Sequence, residues 1–126
     1  MTILVAEDEP MLLKTIELKL KKEGYEVIAT ADGREAIEKI EASSPDMVIT
    51  DIMMPFSSGL EIISLVRQKI KKKIPIIILS AIEQEKVVLE AFELGADDYI
   101  TKPFSLNELT IRVKKLMIQS ERNGLR

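Results

Sequence analysis

The sequence predicts an α/β fold in which five parallel strands, in the order 2-1-3-4-5, form a doubly wound sheet with helices on both faces. The first observation is an alternation of short apolar runs with helical patterns, repeated five times along the chain. The second is that these runs are almost continuous in Val, Ile, Leu and Met, which is typical of strands covered by helices. The third is the length, because 126 residues suit one domain.

The first two strand–helix units fill residues 2–44. Residues 2–6 predict the first strand, and Pro10 fits the first turn of a helix that ends at Gly24. Residues 25–30 predict the second strand, and the capping-box pattern Asp32-Gly33-Arg34-Glu35 opens the second helix. The apolar positions are Leu12, Leu13, Ile16 and Leu20 in the first helix and Ala36, Ile37 and Ile40 in the second.

The third unit places a carboxylate at the end of a buried strand. The apolar run over residues 46–55 reaches Asp51 and breaks at Pro55. Because ligands bind beyond the carboxyl ends of parallel strands, Asp51 marks the expected site. Ser58-Gly59-Leu60-Glu61 then begins the third helix, and its apolar stripe consists of Leu60, Ile63, Val66 and Ile70.

The last two units complete the alternation. Residues 74–80 predict the most hydrophobic strand, and residues 84–94 predict a fourth helix ended by Gly95. Residues 98–101 predict a short fifth strand, and a capping box from Ser105 to Glu108 opens the fifth helix. Inward positions are Val87, Val88, Ala91 and Leu94 in the fourth helix and Leu109, Val113 and Leu116 in the fifth. We expect residues 1–120 to form the domain and residues 121–126 to be a C-terminal tail or the start of a linker.

Composition excludes several classes of function. The chain contains no cysteine and no histidine, which removes disulfides, thiolate nucleophiles, imidazole bases and most zinc sites. Any metal must therefore be a hard ion bound by oxygen atoms. A net charge of −3 argues against direct nucleic-acid binding. Because a strand follows the first residue at once and no apolar run approaches about 18 residues, we expect a cytoplasmic protein without a membrane segment.

Four strand ends carry chemically useful groups. Glu7 and Asp8 follow the first strand, Asp51 ends the third, Ser80 ends the fourth, and Lys102 follows the fifth. Any one of them alone is more often a solvated loop residue, but strands 1 and 3 are neighbours at the switch point of the predicted sheet. Clustered carboxylates either share protons or bind a cation. We therefore predict Mg²⁺, or Mn²⁺ in its place, held by Asp8 and Asp51 with help from Glu7.

This set of groups suits phosphoryl transfer to Asp51. A carboxylate beside a divalent ion can attack phosphorus when nearby cations neutralise the phosphoryl oxygen atoms. Lys102 can supply one such cation. Ser80 can donate a hydrogen bond to another phosphoryl oxygen atom.

Together these motifs resemble a bacterial two-component response-regulator receiver domain, which has the flavodoxin-like, CheY-like fold. The resemblance covers residues 1–120 and implies that a sensor histidine kinase or a phosphotransfer protein phosphorylates Asp51. The chain would catalyse its own aspartyl phosphorylation and dephosphorylation but would not be an enzyme that turns over external substrate. The motifs are Glu7-Asp8, Asp51-Ile52-Met53-Met54-Pro55 with Gly59, Ser80-Ala81, and Tyr99-Ile100-Thr101-Lys102-Pro103-Phe104.

The resemblance also implies roles for residues near Asp51. The main-chain carbonyl of Met53 would be a further metal ligand, and a cis peptide bond before Pro103 would direct Lys102 at the phosphate. Ser80 and Tyr99 would form the switch, in which Ser80 moves toward the phosphoryl group and the ring of Tyr99 turns into the vacated space. The alternative for Tyr99 is an ordinary half-buried aromatic of a strand.

Several positions depart from the family pattern. Glu7 is one methylene longer than the usual Asp, which could change direct ligation to water-mediated ligation, and Phe56 follows Pro55 where Gly is frequent. Met53 and Ile82 occupy the two variable positions that flank the path of the attacking water, and neither side chain can orient water by hydrogen bonding. We therefore predict slow self-dephosphorylation.

The resemblance is to receivers of the winged-helix transcription-factor class, which pair through helix 4, strand 5 and helix 5. Asp98, Glu108 and Arg112 match charged positions of that interface and imply a phosphorylation-linked homodimer. Val88 stands where this class usually has a basic residue that pairs with the Glu matched by Glu108. The alternative is that the three charged residues are surface charges that contribute little to stability. No winged helix is found in the 126 residues, so we expect either a stand-alone receiver or one excised from a longer regulator.

Three other functions are alternatives to this one. A haloacid-dehalogenase-like phosphatase also combines Asp, Mg²⁺, Ser and Lys, but it needs a second Asp two residues after the nucleophile, where this chain has Met53. A flavodoxin-like mononucleotide domain needs a glycine- or hydroxyl-rich loop where Glu7, Asp8 and Glu9 stand. A pseudo-receiver that acts only through protein contacts would not need the full set of acidic, hydroxyl and ammonium groups.

Overall fold

The computed structural model describes residues 1–70, 73–81 and 85–124, and in it strands and helices alternate along the chain. The strands are β1 (Thr2–Ala6), β2 (Glu26–Thr30), β3 (Met47–Asp51), β4 (Ile76–Ser80) and β5 (Asp98–Thr101). The helices are α1 (Pro10–Lys22), α2 (Gly33–Ser43), α3 (Gly59–Lys69), α4 (Glu85–Leu94) and α5 (Leu106–Gly124). All neighbouring strands are parallel, in the order β2-β1-β3-β4-β5, so the predicted fold and strand order are confirmed.

Successive strand residues point to opposite faces of the sheet, so the continuous apolar runs place apolar side chains on both faces. Helices cover each face and bury these side chains. On one face, Leu4, Val48 and Ile76 belong to a buried cluster with residues of α2, α3 and α4. On the other face, alternate strand residues such as Ile3 and Ile49 pack against α1 and α5. Every residue of β3 and β4 is buried, which explains their almost continuous apolar sequences.

Three helix starts follow the predicted capping patterns. The side chains of Asp32 and Ser58 accept hydrogen bonds from the main-chain N–H groups of Glu35 (2.9 Å) and Glu61 (3.4 Å). Ser105 accepts one from the N–H of Glu108 at 3.0 Å. These bonds satisfy main-chain donors that have no partner within their own helix.

The buried helix faces differ from the predicted stripes at a few positions. In α3, Ile62 is fully buried beside Ile63 and Val66, whereas Leu60 and the C-cap residue Ile70 are only half-buried. In α5, Met117 is buried and Leu116 is half-buried. In α4 only Ala91 is buried, while Val87, Val88 and Leu94 are half-buried. The helical period indicates a stripe but not its width, which depends on how many neighbours cover the helix.

Helix α5 continues to Gly124, so residues 121–124 of the expected C-terminal tail or linker start are helical. The residues after Ser120 lack an apolar pattern, but Glu121 and Arg122 are strong helix formers and no proline interrupts them. Gln84, the predicted start of the fourth helix, lies outside the described residues. Within the described ranges, no helix is long and apolar enough to cross a membrane.

Candidate functional site

Three carboxylates meet at the carboxyl edge of the two central strands. Glu7 and Asp8 follow β1, and Asp51 is the last residue of β3. One carboxylate oxygen from each of them lies within 4.8 Å of the others. Glu7 is fully buried, Asp51 is 6% exposed and Asp8 is exposed, so the cluster opens to solvent on the Asp8 side. The predicted acidic residues therefore share one site.

Lys102 completes this cluster from the end of β5. Its Nζ lies 2.9 Å from Oδ2 of Asp51 and 2.6 Å from Oε1 of Glu7. Its main-chain N–H donates to the carbonyl of Ser80 at 2.9 Å, which joins the ends of β4 and β5. The peptide bond between Lys102 and Pro103 is cis, as the resemblance implies. One ammonium group thus contacts two of the three carboxylates.

Main-chain hydrogen bonds fix the position of Glu7. Its N–H donates to the carbonyl of Thr30 at 3.1 Å, and its Oε2 accepts from the N–H of Glu9 at 3.0 Å. Its Oε1 is buried and, among the described residues, has the ion pair with Lys102 but no well-aligned hydrogen bond. An oxygen atom of this kind, next to two further carboxylates, fits a hard divalent cation.

Burial and charge shift the pKa values of two groups in the site. Burial raises the pKa of Glu7, and the nearby charge of Asp51 adds to this effect, although Lys102 and the Glu9 amide oppose it. Burial alone would lower the pKa of Lys102, but its ion pairs with Glu7 and Asp51 outweigh burial and raise it. Lys102 is therefore cationic at neutral pH. A further positive charge near Glu7, such as a metal ion, would favour the ionised form of its carboxylate.

Gly59 allows Asp51 to occupy its place. A Cβ atom at residue 59 would overlap the carbonyl oxygen of Asp51 and lie 2.9 Å from Cα of Ile52. The N–H of Gly59 also donates to the carbonyl of Ile52 at 2.8 Å, which fixes the turn between β3 and α3. The sequence gives Gly59 as part of a motif, but the contact with Asp51 is visible only in three dimensions.

The two residues of the predicted switch lie on neighbouring strands. Ser80 ends β4, is 1% exposed, and pairs in register with Thr101. Tyr99 of β5 is half-buried and lines a groove of about 340 Å³ between α4 and β5, together with Leu89 and Phe92. Leu89 is 53% exposed and Phe92 42% exposed, so the groove has apolar walls.

The loop after Asp51 carries two exposed apolar side chains. Met53 is 62% exposed. Phe56 is 68% exposed and adopts φ +73°, a left-handed conformation that explains why glycine suits this position. The Arg34 guanidinium lies 4.3 Å from the centre of the Phe56 ring. Ile82, the second position predicted to flank the path of water, lies outside the described residues.

The three charged residues of the predicted dimer face pair with one another inside the chain. The guanidinium of Arg112 donates to Asp98 at 2.7 Å and to Glu108 at 3.0 Å. These ion pairs are partly exposed, and pairs of this kind contribute little to stability. An intersubunit role would require them to exchange partners.

An unpredicted network surrounds Arg67 of α3. Its guanidinium donates to the carbonyls of Gly95 and Ile74, each at 2.7 Å, and to Asp97 at 3.0 Å. Asp97 in turn accepts from the N–H of Ile76 at 2.8 Å. The network fixes the starts of β4 and β5, the strands that end at Ser80 and lead to Lys102. Arg67 and Asp97 are 30 residues apart, and no local pattern marks their contact.

The fold and the acidic site define a class of signalling domain. The chain belongs to the response regulator receiver domain family, whose sequence model matches residues 3–114. The chain is 41% identical over 119 residues to the alkaline phosphatase synthesis transcriptional regulatory protein PhoP of Bacillus subtilis, covering 94% of this chain and 49% of that protein. It therefore spans about half the length of this curated relative.

Solved receiver structures share the fold over nearly the whole chain. A CheY-like receiver domain protein from Methanospirillum hungatei superposes with a TM-score of 0.93 at 26% identity, covering 98% of each chain. The response regulator TrrA from Thermotoga maritima, solved in complex with Mg²⁺ and BeF, gives a TM-score of 0.80 at 39% identity. That match covers 91% of this chain and 97% of TrrA. The comparisons support a receiver domain of a two-component system and give no support to the phosphatase or pseudo-receiver alternatives.

Proposed function

We propose that this receiver domain accepts a phosphoryl group on Asp51 in a Mg²⁺-dependent reaction and that phosphorylation changes the surface formed by α4, β5 and α5. The observation that carries the proposal is the convergence of groups on Asp51. Its carboxylate is 6% exposed, contacts the Lys102 ammonium at 2.9 Å, and lies within 4.8 Å of the carboxylate oxygen atoms of Glu7 and Asp8.

In the proposed step, a carboxylate oxygen of Asp51 attacks the phosphorus atom of a phosphohistidine. The new O–P bond forms an acyl phosphate, while the P–N bond breaks and its electron pair leaves with the donor imidazole. Lys102 would contact one phosphoryl oxygen, and the Ser80 hydroxyl would donate to another. The protein thus contributes position and positive charge, which are the main requirements of phosphoryl transfer.

Glu7, Asp8 and Asp51 would hold the metal, with the main-chain carbonyl of Met53 as a further ligand. All of these donors are oxygen atoms, as Mg²⁺ and Mn²⁺ prefer. When bound, the ion supplies positive charge next to the phosphoryl oxygen atoms. Support comes from the carboxylate cluster and from TrrA, a relative solved with Mg²⁺ and BeF.

The signal would pass from Ser80 to Tyr99. Ser80 belongs to the site edge of β4, and Tyr99 lies on the neighbouring strand beside the groove of α4. Movement of Ser80 toward a phosphoryl group would favour an inward position of the Tyr99 ring, and this would reshape the groove formed with Leu89 and Phe92. The half-buried state of Tyr99 is compatible with motion in either direction.

We propose a sensor histidine kinase or a phosphotransfer protein as the partner, and a cytoplasmic location for the domain. A homodimer through α4, β5 and α5 would follow phosphorylation, with Asp98, Glu108 and Arg112 exchanging their internal ion pairs for intersubunit ones.

Slow self-dephosphorylation is proposed because Met53 beside the site offers water no polar side-chain group. The relation to PhoP supports a role in transcriptional regulation, if the domain is joined to an output domain.

Intact-mass measurement tests the proposal. The folded protein is incubated with Mg²⁺ and acetyl phosphate, with Asp51→Asn as the matched variant that keeps the side-chain volume. We expect one added phosphoryl group in the parent, none in Asp51→Asn, and none in the presence of EDTA. The absence of a mass gain in a folded parent that binds Mg²⁺ would favour a pseudo-receiver that acts through protein contacts alone.

A further inference from the structure

The Glu7 carboxylate spans the gap between the β1 loop and Lys102. Its Oε2 accepts the Glu9 N–H at 3.0 Å, and its Oε1 contacts Nζ of Lys102 at 2.6 Å, shorter than the 2.9 Å contact between Lys102 and Asp51. Glu7 is fully buried and Lys102 is 19% exposed in its side chain, so solvent weakens this ion pair little. In this arrangement Lys102 is the cation that the carboxylates share.

We infer that Glu7 is a positioning residue that holds Lys102 as the resident cation of the acidic site, so that Mg²⁺ and the Glu7–Lys102 contact compete. The inference rests on the Mg²⁺ binding proposed above and adds a specific role for Glu7. Nζ of Lys102 contacts the carboxylates of both Glu7 and Asp51, which also belong to the candidate metal cluster. A divalent ion among these same oxygen atoms would repel the ammonium group.

The length of Glu7 is essential to this role. An aspartate would be shorter by one C–C bond, about 1.5 Å, and could not keep both its contact with the Glu9 amide and its contact with Lys102. Lys102 would then retain only the contact with Asp51. The longer side chain of Glu7 therefore gives Lys102 a second carboxylate contact, and Mg²⁺ must break this contact when it binds. By linkage, bound Mg²⁺ must weaken the Glu7–Lys102 contact by the same factor by which that contact weakens Mg²⁺ binding.

This competition has a consequence for phosphorylation. A Lys102 ammonium held by two carboxylates is neutralised before any donor arrives. Release from Glu7 leaves it with one carboxylate partner and makes it available to a phosphoryl oxygen. Glu7 would thus link metal binding to the availability of Lys102.

A double-mutant cycle on Mg²⁺ affinity tests the inference. Isothermal titration calorimetry compares the parent, Lys102→Met, Glu7→Asp and the double variant, with cooperative unfolding as the check of folding. We expect Lys102→Met to tighten Mg²⁺ binding about tenfold in the parent background, equivalent to about 1.4 kcal/mol. We expect a change of about threefold or less in the Glu7→Asp background. Lys114→Met is the control for net charge, because Lys114 is exposed and its Nζ lies 3.8 Å from Oε2 of Glu23, away from the acidic site.

A second measurement does not require a Lys102 variant. Side-chain NMR of Lys102 during Mg²⁺ titration should show a large shift in the parent and a smaller one in Glu7→Asp. Three results would overturn the inference and leave Glu7 as a simple ligand. The first is an equal effect of Lys102→Met on Mg²⁺ affinity in both backgrounds, and the second is weaker Mg²⁺ binding by Lys102→Met. The third is an equal NMR shift of Lys102 in the parent and in Glu7→Asp. A folded parent that does not bind Mg²⁺ would instead overturn the proposed function, and the inference with it.

Discussion

Replacing Gly59 by Ala should damage both stability and phosphorylation, although Ala usually stabilises a helix relative to Gly. The added Cβ would overlap the carbonyl oxygen of Asp51 and lie 2.9 Å from Cα of Ile52. Helix propensity alone would favour Ala by up to about 1 kcal/mol. Overpacking against main-chain atoms that cannot rotate away costs about 1–3 kcal/mol. We therefore expect a net loss of about 1–2 kcal/mol in the free energy of unfolding.

The displaced atoms belong to Asp51, the proposed phosphate acceptor, so the rate of phosphorylation should fall as well. A displacement of about 1 Å in a reacting group can cost about a hundredfold in rate, and a shift of a few tenths of an ångström should cost about tenfold. Urea unfolding measures the first effect. The initial rate of mass gain with acetyl phosphate, under conditions in which the variant is folded, measures the second.

Gly24→Ala is the matched control. Gly24 adopts φ +98°, and a Cβ there would meet no atom within 4 Å among the described residues. The left-handed conformation should cost about 1–2 kcal/mol of stability without moving Asp51, so the phosphorylation rate should stay unchanged. A Gly59→Ala protein as stable as the parent, or one that loses no more rate than Gly24→Ala, would refute the steric argument.

Four further predictions concern other parts of the molecule. Arg67→Met should lower the free energy of unfolding by about 3 kcal/mol in urea titrations, with Arg67→Lys in between, because partly buried carbonyls lose charged donors; an unchanged midpoint would count against the network. Glu7→Gln should raise the melting temperature in EDTA and weaken Mg²⁺ binding. Because the pKa of Glu7 is raised on folding, the parent without metal should lose stability as pH rises through that pKa, and Glu7→Gln should lose less. Met53→Asn should accelerate loss of the phosphoryl group, followed by mass, and an unchanged lifetime would contradict the slow-hydrolysis proposal. Arg112→Ala should weaken dimerisation induced by a phosphate mimic in sedimentation experiments; a parent that stays monomeric with the mimic would exclude the dimer.

The sequence was sufficient to predict which residues meet in the site, because the carboxyl ends of parallel strands share one edge of the sheet. Asp51, Glu7 and Lys102 each follow a recognisable apolar run, and the strand order brings those runs together. Helix caps were equally predictable, since the bonds that Asp32 and Ser58 accept connect residues three apart in sequence. Local rules determine these features.

Contacts between distant segments were not predictable in the same way. The ion pair of Glu7 with Lys102 depends on the length of one side chain and on the direction given by the Glu9 amide. The bonds of Arg67 depend on the packing of α3 beside the loop before β5, and a single Arg near a helix end gives no sign of them. The burial of Ile62 likewise depends on neighbouring helices and not on the period of α3 alone.

Locating the modified residue is the most direct test of the proposal that Asp51 carries the phosphoryl group. After incubation with acetyl phosphate and Mg²⁺, borohydride reduces an aspartyl phosphate to homoserine, and peptide sequencing by mass spectrometry finds the position. We expect homoserine at residue 51 alone, and none when EDTA is added before the donor. Homoserine at Asp8 with Asp51 unchanged, or no modification in a folded protein that binds Mg²⁺, would contradict the proposal.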